Sequence, residues 1–264
     1  MDTPNYQYFI QEFKKISKID LTSYKDDQMV RRLENFIKNN EFKDFKDLAD
    51  NLKINKSLVE KLKGYITINV TEFLRNEKMW DDFYKLAIPM ISKGKRKIKL
   101  WSAACSSGEE PYTIAILLKE NFPSLDFEII ATDLDETILE KAKEGKYRIE
   151  NLKGVFSKGV IDKYFDQLDT NTIQVKNEIK RKIKFEKHNL LEDLYPKFLD
   201  MIVCRNVLIY FKEDAKQKIY DRFCANLNDQ GIIFIGATEQ IFKPEQHHLK
   251  IVKSFFYQKQ KEGI

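Results

Sequence analysis

Two adjacent carboxylates, Glu109 and Glu110, stand directly behind a lone glycine, Gly108, in the run LWSAACSSGEEPYTIAILL from Leu100 to Leu118. A short apolar strand that turns through small residues into a helix is where doubly wound α/β proteins hold nucleotides, at the carboxyl edge of the sheet. Pyrophosphate and triphosphate sites need several glycines there, so that backbone N–H groups can close on phosphate oxygens without side chains in the way. This turn offers one. Two negative charges would repel a phosphate but attract a sulfonium and an amino-acid ammonium. The turn therefore argues against NAD and ATP and for S-adenosylmethionine. The competing reading is that both glutamates are exposed first-turn residues favoured by the helix dipole.

The next strand adds to the cofactor reading. Phe127 to Ala131 (FEIIA) is a buried-strand run ending in Thr132, Asp133, Leu134 and Asp135. A carboxylate at the end of the second strand of a βαβ unit accepts hydrogen bonds from ribose hydroxyls, and Asp133 holds that position. Asp135 reads as the N-cap of a helix from Glu136 to Glu144. A third apolar strand, Asp200 to Cys204, runs into Arg205 and Asn206, a fixed cation and an amide suited to a site rim rather than a core.

These groups need a sheet, and the chain supplies one only after a helical start. From about residue 5 to 65 apolar residues recur three or four apart: Phe9, Phe13 and Ile16; Met29, Leu33, Phe36 and Ile37; Phe45, Leu48, Ala49 and Leu52; Leu58 and Leu62. A connection then runs from Gly64 to about Lys99, with a helix from Asn76 to Ile91 and the basic run Lys93 to Lys99, broken by Gly94. The pattern predicts a helical domain over residues 1–70, a linker with a helix over 71–99, and an α/β domain over 100–264. After Tyr147 the α/β alternation is interrupted, and Thr172–Val175 and Lys182–Glu186 alternate like the strands of a hairpin. It resumes with a helix Glu213–Leu227, a strand Gly231–Ile235 and a last strand pair near Ile251–Tyr257.

The whole chain has 264 residues, enough for a sizeable core. No apolar run approaches a membrane span and the N-terminus lacks a signal-peptide pattern, so a cytoplasmic protein without membrane insertion is expected. Cys105, Cys204 and Cys224 are widely spaced, and neither they nor His188, His247 and His248 show metal-ligand spacing. Cys105 reads as a small residue of the turn, and His247 and His248 as exposed loop residues. A formal charge of +5 against 41 acids is slight for nucleic-acid binding and suits an acidic protein partner.

Taken in order, NVTEFLR, WSAACSSGEEPY, ATDLDETILEKAKEGKY, VCRNVLIYF and GIIFIGATEQ resemble the bacterial chemotaxis receptor glutamate O-methyltransferases over nearly the whole chain. The departures are small: Phe73 and Leu74 replace a paired aromatic, and Ser107 stands where threonine is common. The resemblance implies a Rossmann-like S-adenosylmethionine-dependent fold with a small β-subdomain at about 150–186, after a small all-α domain. It also implies methyl transfer from S-adenosylmethionine to glutamates on the cytoplasmic helices of chemoreceptors, with S-adenosylhomocysteine as product and no metal.

Carried over by motif, Asn69, Thr71 and Arg75 would contact the cofactor, with Glu109 or its neighbour Glu110 in the first turn and Asp133 on the ribose. Asn189 and Leu190, from HNLLED, would flank the adenine, although that run also reads as a strand end with its leucines in the core. Arg205 and Asn206 would complete the site. A glutamate is already ionised at neutral pH, its ordinary pKa being about 4.3, so no general base is needed. Arg75 and Tyr210 are the candidates for orienting the incoming carboxylate. Arg31, Arg32 and Lys38 lie on the helix where the family has a basic receptor-docking helix, or form an ordinary solvated face.

Some relatives add a receptor-tail pentapeptide as a strand to the β-subdomain, beside a glycine-containing loop. The corresponding loop, Asp166 to Thr172, has no glycine, and Lys180, Arg181, Lys182 and Lys184 read as edge blocking. A monomer that methylates without a tail peptide is expected. A nucleobase methyltransferase would need an N/D-PPY strand end that VCRNVLIY lacks. A non-catalytic binding module would have lost a cofactor contact.

Overall fold

The computed structural model describes residues 4–67 and 69–261. They form two compact units. The first holds the described residues up to Asn69 together with Tyr210–Lys216, and the second holds Val70–Ile209 and the described residues from Gln217 onward.

The first unit is built from α1 (Pro4–Ser17), α2 (Asp26–Asn39), α3 (Phe45–Ile54) and α4 (Lys56–Ile66). The apolar residues spaced three or four apart are the buried ones: Phe9 and Phe13, then Met29, Leu33 and Phe36, then Leu48 and Leu52, then Leu58 and Leu62. Asn55 ends α3 and its side chain accepts the Leu58 N–H at the start of α4, so one residue sets both boundaries. On α2 three acids, Asp26, Asp27 and Glu34, balance Arg31, Arg32 and Lys38. Arg32 donates through Nε to the Tyr65 carbonyl at 2.6 Å and lies 4.8 Å over the Tyr65 ring. α2 thus carries no net charge, and one of its arginines is engaged within the unit.

The second unit opens with α5 (Lys78–Asp82), a π-helical stretch Phe83–Ala87, and α6 (Ile88–Ser92). One helix was expected over Asn76–Ile91. Pro89, at the start of α6, has no N–H to return to the preceding turn, and the ladder widens just before it. There follow β1 (Lys97–Ala103), α7 (Glu109–Asn121), β2 (Asp126–Asp133), α8 (Glu136–Glu144), β3 (Lys146–Arg148) and α9 (Lys158–Tyr164). The chain continues through β4 (Phe165–Gln167), β5 (Thr172–Val175), α10 (Asn177–Lys180), β6 (Ile183–Lys187) and β7 (Leu199–Cys204). It ends with α11 (Glu213–Asn226), β8 (Leu227–Ile235), β9 (Leu249–Lys253) and β10 (Phe256–Lys259).

Among the described residues the main sheet runs β6-β2-β1-β7-β8-β10-β9, parallel from β6 to β8, with β10 and β9 antiparallel. The chain moves from β1 outward to β2 on one side and to β7 on the other. The carboxyl ends of these three strands therefore meet at the switch point where such sheets bind ligands. β3, β5 and β4 form a separate antiparallel sheet. The hairpin expected between Thr172–Val175 and Lys182–Glu186 does not form. β6 pairs parallel with β2, Ile129 opposite Ile183, because α10 carries the chain back to the main sheet. β3 and β4 flank β5 instead.

Trp101, Phe127, Tyr112 and Phe234 are fully buried in the second unit's core. His247 is buried as well, against the expectation of an exposed loop residue. Its ring nitrogens lie 2.5 Å from Asp221 Oδ1 and 2.6 Å from Gln217 Oε1. Among the described residues no helix is long and apolar enough to cross a membrane.

Candidate functional site

The turn after β1 is tightly wound. Ala104 and Ser106 have φ of 63° and 51°, and Gly108 has φ of 95°. Left-handed geometry at two non-glycine residues is held by the end of β2: Cys105 N donates to Thr132 O and Ser106 N to Asp133 Oδ2, both at 2.8 Å. Gly108 is required for packing as well as for its φ. A Cβ there would come within 3.0 Å of the Ala142 Cβ and 3.1 Å of the Tyr147 hydroxyl. Tyr147 in turn donates to the Ser107 carbonyl at 2.7 Å.

Both first-turn glutamates are buried, which overturns the exposed alternative: Glu109 is 6% exposed and Glu110 9%. Their roles separate. Glu110 accepts the Ser102 hydroxyl at 2.8 Å and faces Arg205 Nη1 at 3.5 Å, so it is used inside the fold. Glu109 accepts the hydroxyl of its own turn, from Ser107, at 2.7 Å. Burial raises the pKa of both carboxyls; the Ser107 hydroxyl opposes this at Glu109, and the Arg205 charge opposes it at Glu110. Asp133 is 6% exposed, and each oxygen takes one backbone N–H, Oδ2 from Ser106 and Oδ1 from Asp135. Burial raises its pKa too, against the backbone N–H groups of Asp135, Ser106 and Leu134. Asp135 caps α8, accepting from Thr137 and Ile138.

Arg205 is not a rim residue, and that expectation is corrected. Its side chain is 2% exposed, with the guanidinium about 5 Å from the faces of Trp80 (5.0 Å) and Phe234 (4.9 Å). Nη2 donates to the Arg75 carbonyl at 2.6 Å, where Trp80 Nε1 also donates at 3.1 Å. Arg205 thus ties the NVTEFLR turn to the sheet, with Glu110 as its counter-charge. Within that turn Leu74 and Asn76 have positive φ, Phe73 packs against Tyr147, Phe156 and Phe165, and Leu74 N donates to Thr113 Oγ1 at 3.3 Å. Thr71 is part-buried, and Arg75 folds back through Nη1 onto the Val70 carbonyl at 3.0 Å.

Asn206 follows β7 with φ of 60° and is held from behind by Glu239, a residue that sequence reasoning missed. Glu239 Oε2 accepts from Asn206 N at 2.9 Å and Gly236 N at 2.7 Å, while Oε1 accepts from Val207 N at 3.0 Å and Leu208 N at 2.8 Å. The only signal was the acid two residues after the small pair in GATEQ, which reads as an ordinary loop carboxylate. Asn189 closes a local turn, its Oδ1 accepting Leu191 N at 2.9 Å. Leu190 is buried, and its carbonyl accepts from the Tyr195 hydroxyl and Arg222 Nη1. Asn69 and Tyr210 belong to the first unit, where Asn69 Nδ2 donates to Thr67 Oγ1 and the Tyr210 carbonyl accepts Lys25 N.

A cationic nucleoside suits the strand ends of the second unit. Five buried carboxylates, Glu109, Glu110, Asp133, Asp135 and Glu239, stand there with one arginine, and Ser106 Oγ and Asn206 Oδ1 are buried without a hydrogen-bond partner among the described residues. Those two atoms call for polar groups from a ligand. No group of three His, Cys, Asp or Glu among the described residues is placed to hold a metal ion.

Comparison with known proteins identifies the family. Residues 69–257 match the family model described as CheR methyltransferase, SAM binding domain, and residues 4–67 match CheR methyltransferase, all-alpha domain. A chemotaxis protein methyltransferase of Listeria innocua is 38% identical over 254 residues, covering 96% of this chain and 96% of its own. One of Borreliella burgdorferi is 35% identical over 240 residues, covering 84% and 83%.

Proposed function

The chain belongs to the CheR methyltransferase family, and from that premise we infer that it methylates glutamate side chains of chemoreceptors, forming the glutamyl methyl esters used in chemotactic adaptation. It is an S-adenosylmethionine-dependent methyltransferase. The observation that carries the reading is the acidic, phosphate-hostile turn of Glu109 and Glu110 beside Asp133 at the sheet switch point.

When bound, the cofactor supplies a methyl group activated on a sulfonium. The chain's own residues bind and position. Glu109 offers a carboxylate to the amino-acid ammonium and Asp133 a pair of acceptors to the ribose hydroxyls, and Asn206 presents its amide from the third strand end. Thr71 and Arg75 line the turn that Arg205 fixes, and Asn189 and Leu190 follow the end of β6. Arg205 serves through its hold on the Arg75 carbonyl rather than by touching the cofactor. The role of Asn69 rests on the motif match, and Tyr210 is a second candidate for orienting the incoming carboxylate.

The substrate carboxylate arrives ionised, so positioning supplies most of the acceleration. Arg75 is suited to orient it, because its contact with the Val70 carbonyl is a single exchangeable hydrogen bond. A tighter clamp would stabilise the ground state and slow transfer. Incubation with radiolabelled S-adenosylmethionine and receptor-bearing membranes should yield label released as methanol in base. Label that survives base would overturn ester formation.

The finer substrate reading is methylation that is independent of a receptor-tail peptide, by a monomer working in the cytoplasm. Its support is the β4–β5 loop: Asp169 Oδ1 accepts both Asn171 N and Thr172 N at 2.7 Å, and Leu168 N donates to Thr172 O at 2.9 Å. A side-chain-closed turn leaves less room for a close-running backbone than a glycine loop would. The lysine argument contributes less than expected, since Lys182 and Lys184 flank or lie on β6 in the main sheet and pair with Asp126 and Glu186. Titration with a receptor-tail pentapeptide should leave the amide resonances of residues 160–186 unmoved. Saturable shifts at micromolar peptide would refute it.

A further inference from the structure

We propose that Glu239 is a positioning residue for the cofactor: it fixes the backbone after β7 so that Asn206 presents its side-chain amide to the bound nucleoside. The inference rests on the reading of Asn206 as part of the cofactor site. Glu239 is 7% exposed, and its two oxygens receive four backbone N–H groups from three consecutive residues, Asn206, Val207 and Leu208, and from Gly236. An ionised carboxylate has about four acceptor positions, so its capacity is filled by main chain alone. Nothing in that arrangement leaves the side chain available to a ligand. Its effect is on the peptide units it gathers.

Those N–H groups would otherwise be unpaired where the strand ends, because Asn206 departs from extended geometry with φ of 60°. Asparagine tolerates the left-handed region, but a second anchor is needed to keep one conformer. The outcome is an amide whose Oδ1 is buried and has no partner among the described residues. Such an atom is costly unless something completes it, and the cofactor is the group that the site is built to take. Gly236 belongs to the same device. A Cβ there would lie 2.8 Å from Asn206 N and 2.8 Å from Glu239 Oε2, so only glycine lets the two strand ends share one carboxylate.

The test measures S-adenosylhomocysteine affinity by calorimetry on the full chain, at a temperature where each variant is fully folded. Asn206→Gly keeps the backbone geometry and removes the amide, and it should weaken binding at least tenfold. Glu239→Gln turns an NH2 group toward two N–H donors and should weaken it by a similar factor. The double variant should bind no more weakly than the weaker single variant, because Glu239 acts through Asn206. Gly236→Ala presses on the same contact from the other side, and it decides the matter if Glu239→Gln does not fold. In cofactor-free protein the amides of Asn206, Val207 and Leu208 should exchange slowly, and faster when the carboxylate is lost.

Weakened binding in Asn206→Gly with wild-type affinity in folded Glu239→Gln or Gly236→Ala would overturn the positioning role alone. Wild-type affinity in Asn206→Gly would remove Asn206 from the site, and this inference with it. Failure of the wild-type chain to bind S-adenosylhomocysteine would instead overturn the functional reading.

Discussion

Replacing Arg205 by methionine isolates the charge that sits at the centre of the second unit. The side chains of Arg205 and Glu110 are 2% and 11% exposed, so removing the cation leaves a buried carboxylate with only the Ser102 hydroxyl. Breaking a buried pair in this way costs about 3–5 kcal/mol. The ion-pair distance of 3.5 Å is long, and methionine keeps contact with Trp80 and Phe234, which places the expected loss near the lower end, about 3 kcal/mol. The loss must also depend on pH, with a definite sign. Burial already raises the Glu110 pKa and Arg205 opposes the rise, so in Arg205→Met the folded-state pKa climbs further. A group whose folded pKa exceeds its unfolded value of about 4.3 loses stability as pH rises through that window, by about 1.4 kcal/mol per unit. The penalty should therefore be small near pH 5 and close to its full size at pH 8. Both tryptophans of the chain, Trp80 and Trp101, lie in the second unit, so urea unfolding followed by tryptophan fluorescence reports on it. Adding Glu110→Gln should recover most of the loss at pH 8 and flatten the pH dependence. A penalty below 1 kcal/mol at pH 8, an equal penalty at both pH values, or no relief from Glu110→Gln would refute the pairing.

Asp133→Asn should weaken S-adenosylhomocysteine binding at least tenfold, about 1.4 kcal/mol, and unchanged calorimetric affinity would take Asp133 out of the site. Burial raises the pKa values of Glu109 and Asp133 above the ordinary carboxylate value in the free enzyme. An arriving ammonium draws the Glu109 pKa back down, and hydroxyls donating to the Asp133 carboxylate lower its pKa as well. Binding should then release protons, and affinity should rise with pH across that window; calorimetry in buffers of different ionisation heat checks this, and net proton uptake would contradict it. Charge reversal at Arg31 and Lys38 should lower receptor methylation while leaving cofactor affinity intact, and a normal methylation rate would discard that face as the docking surface. Arg32→Glu should instead destabilise the helical unit by about 1 kcal/mol through loss of the Tyr65 contacts, read as a lower unfolding midpoint.

The parts of this protein that were legible in its sequence are those where one residue type answers one local need. Asp135 caps α8 because a helix start has unpaired N–H groups two and three residues on, and Asp133 lies at the end of β2 where an alternating strand run stops. Helices α1–α4 follow from apolar spacing alone. The pairing of β6 was not legible: Ile183–Lys187 alternates like a half-buried strand, and alternation says nothing about which neighbour a strand finds. The break near Pro89 shows in the sequence only as a proline within an otherwise helical pattern.

The site divides along the same line. A sequence shows which charges exist but not which of them neutralise one another, and here three of the most informative polar residues are spent on the protein itself. Glu110 serves Arg205, Arg205 serves the Arg75 carbonyl, and Glu239 serves four peptide N–H groups. Each is as polar as a ligand contact and as buried as a core residue. Glu110 and Glu239 have their partners within the chain, whereas Ser106 Oγ, Asn206 Oδ1 and one nitrogen of Arg205, Nε, have none among the described residues, and Glu109 is held only by its own turn. Polar atoms at the strand ends that the fold has buried but not paired are therefore the first positions at which to test for cofactor contacts.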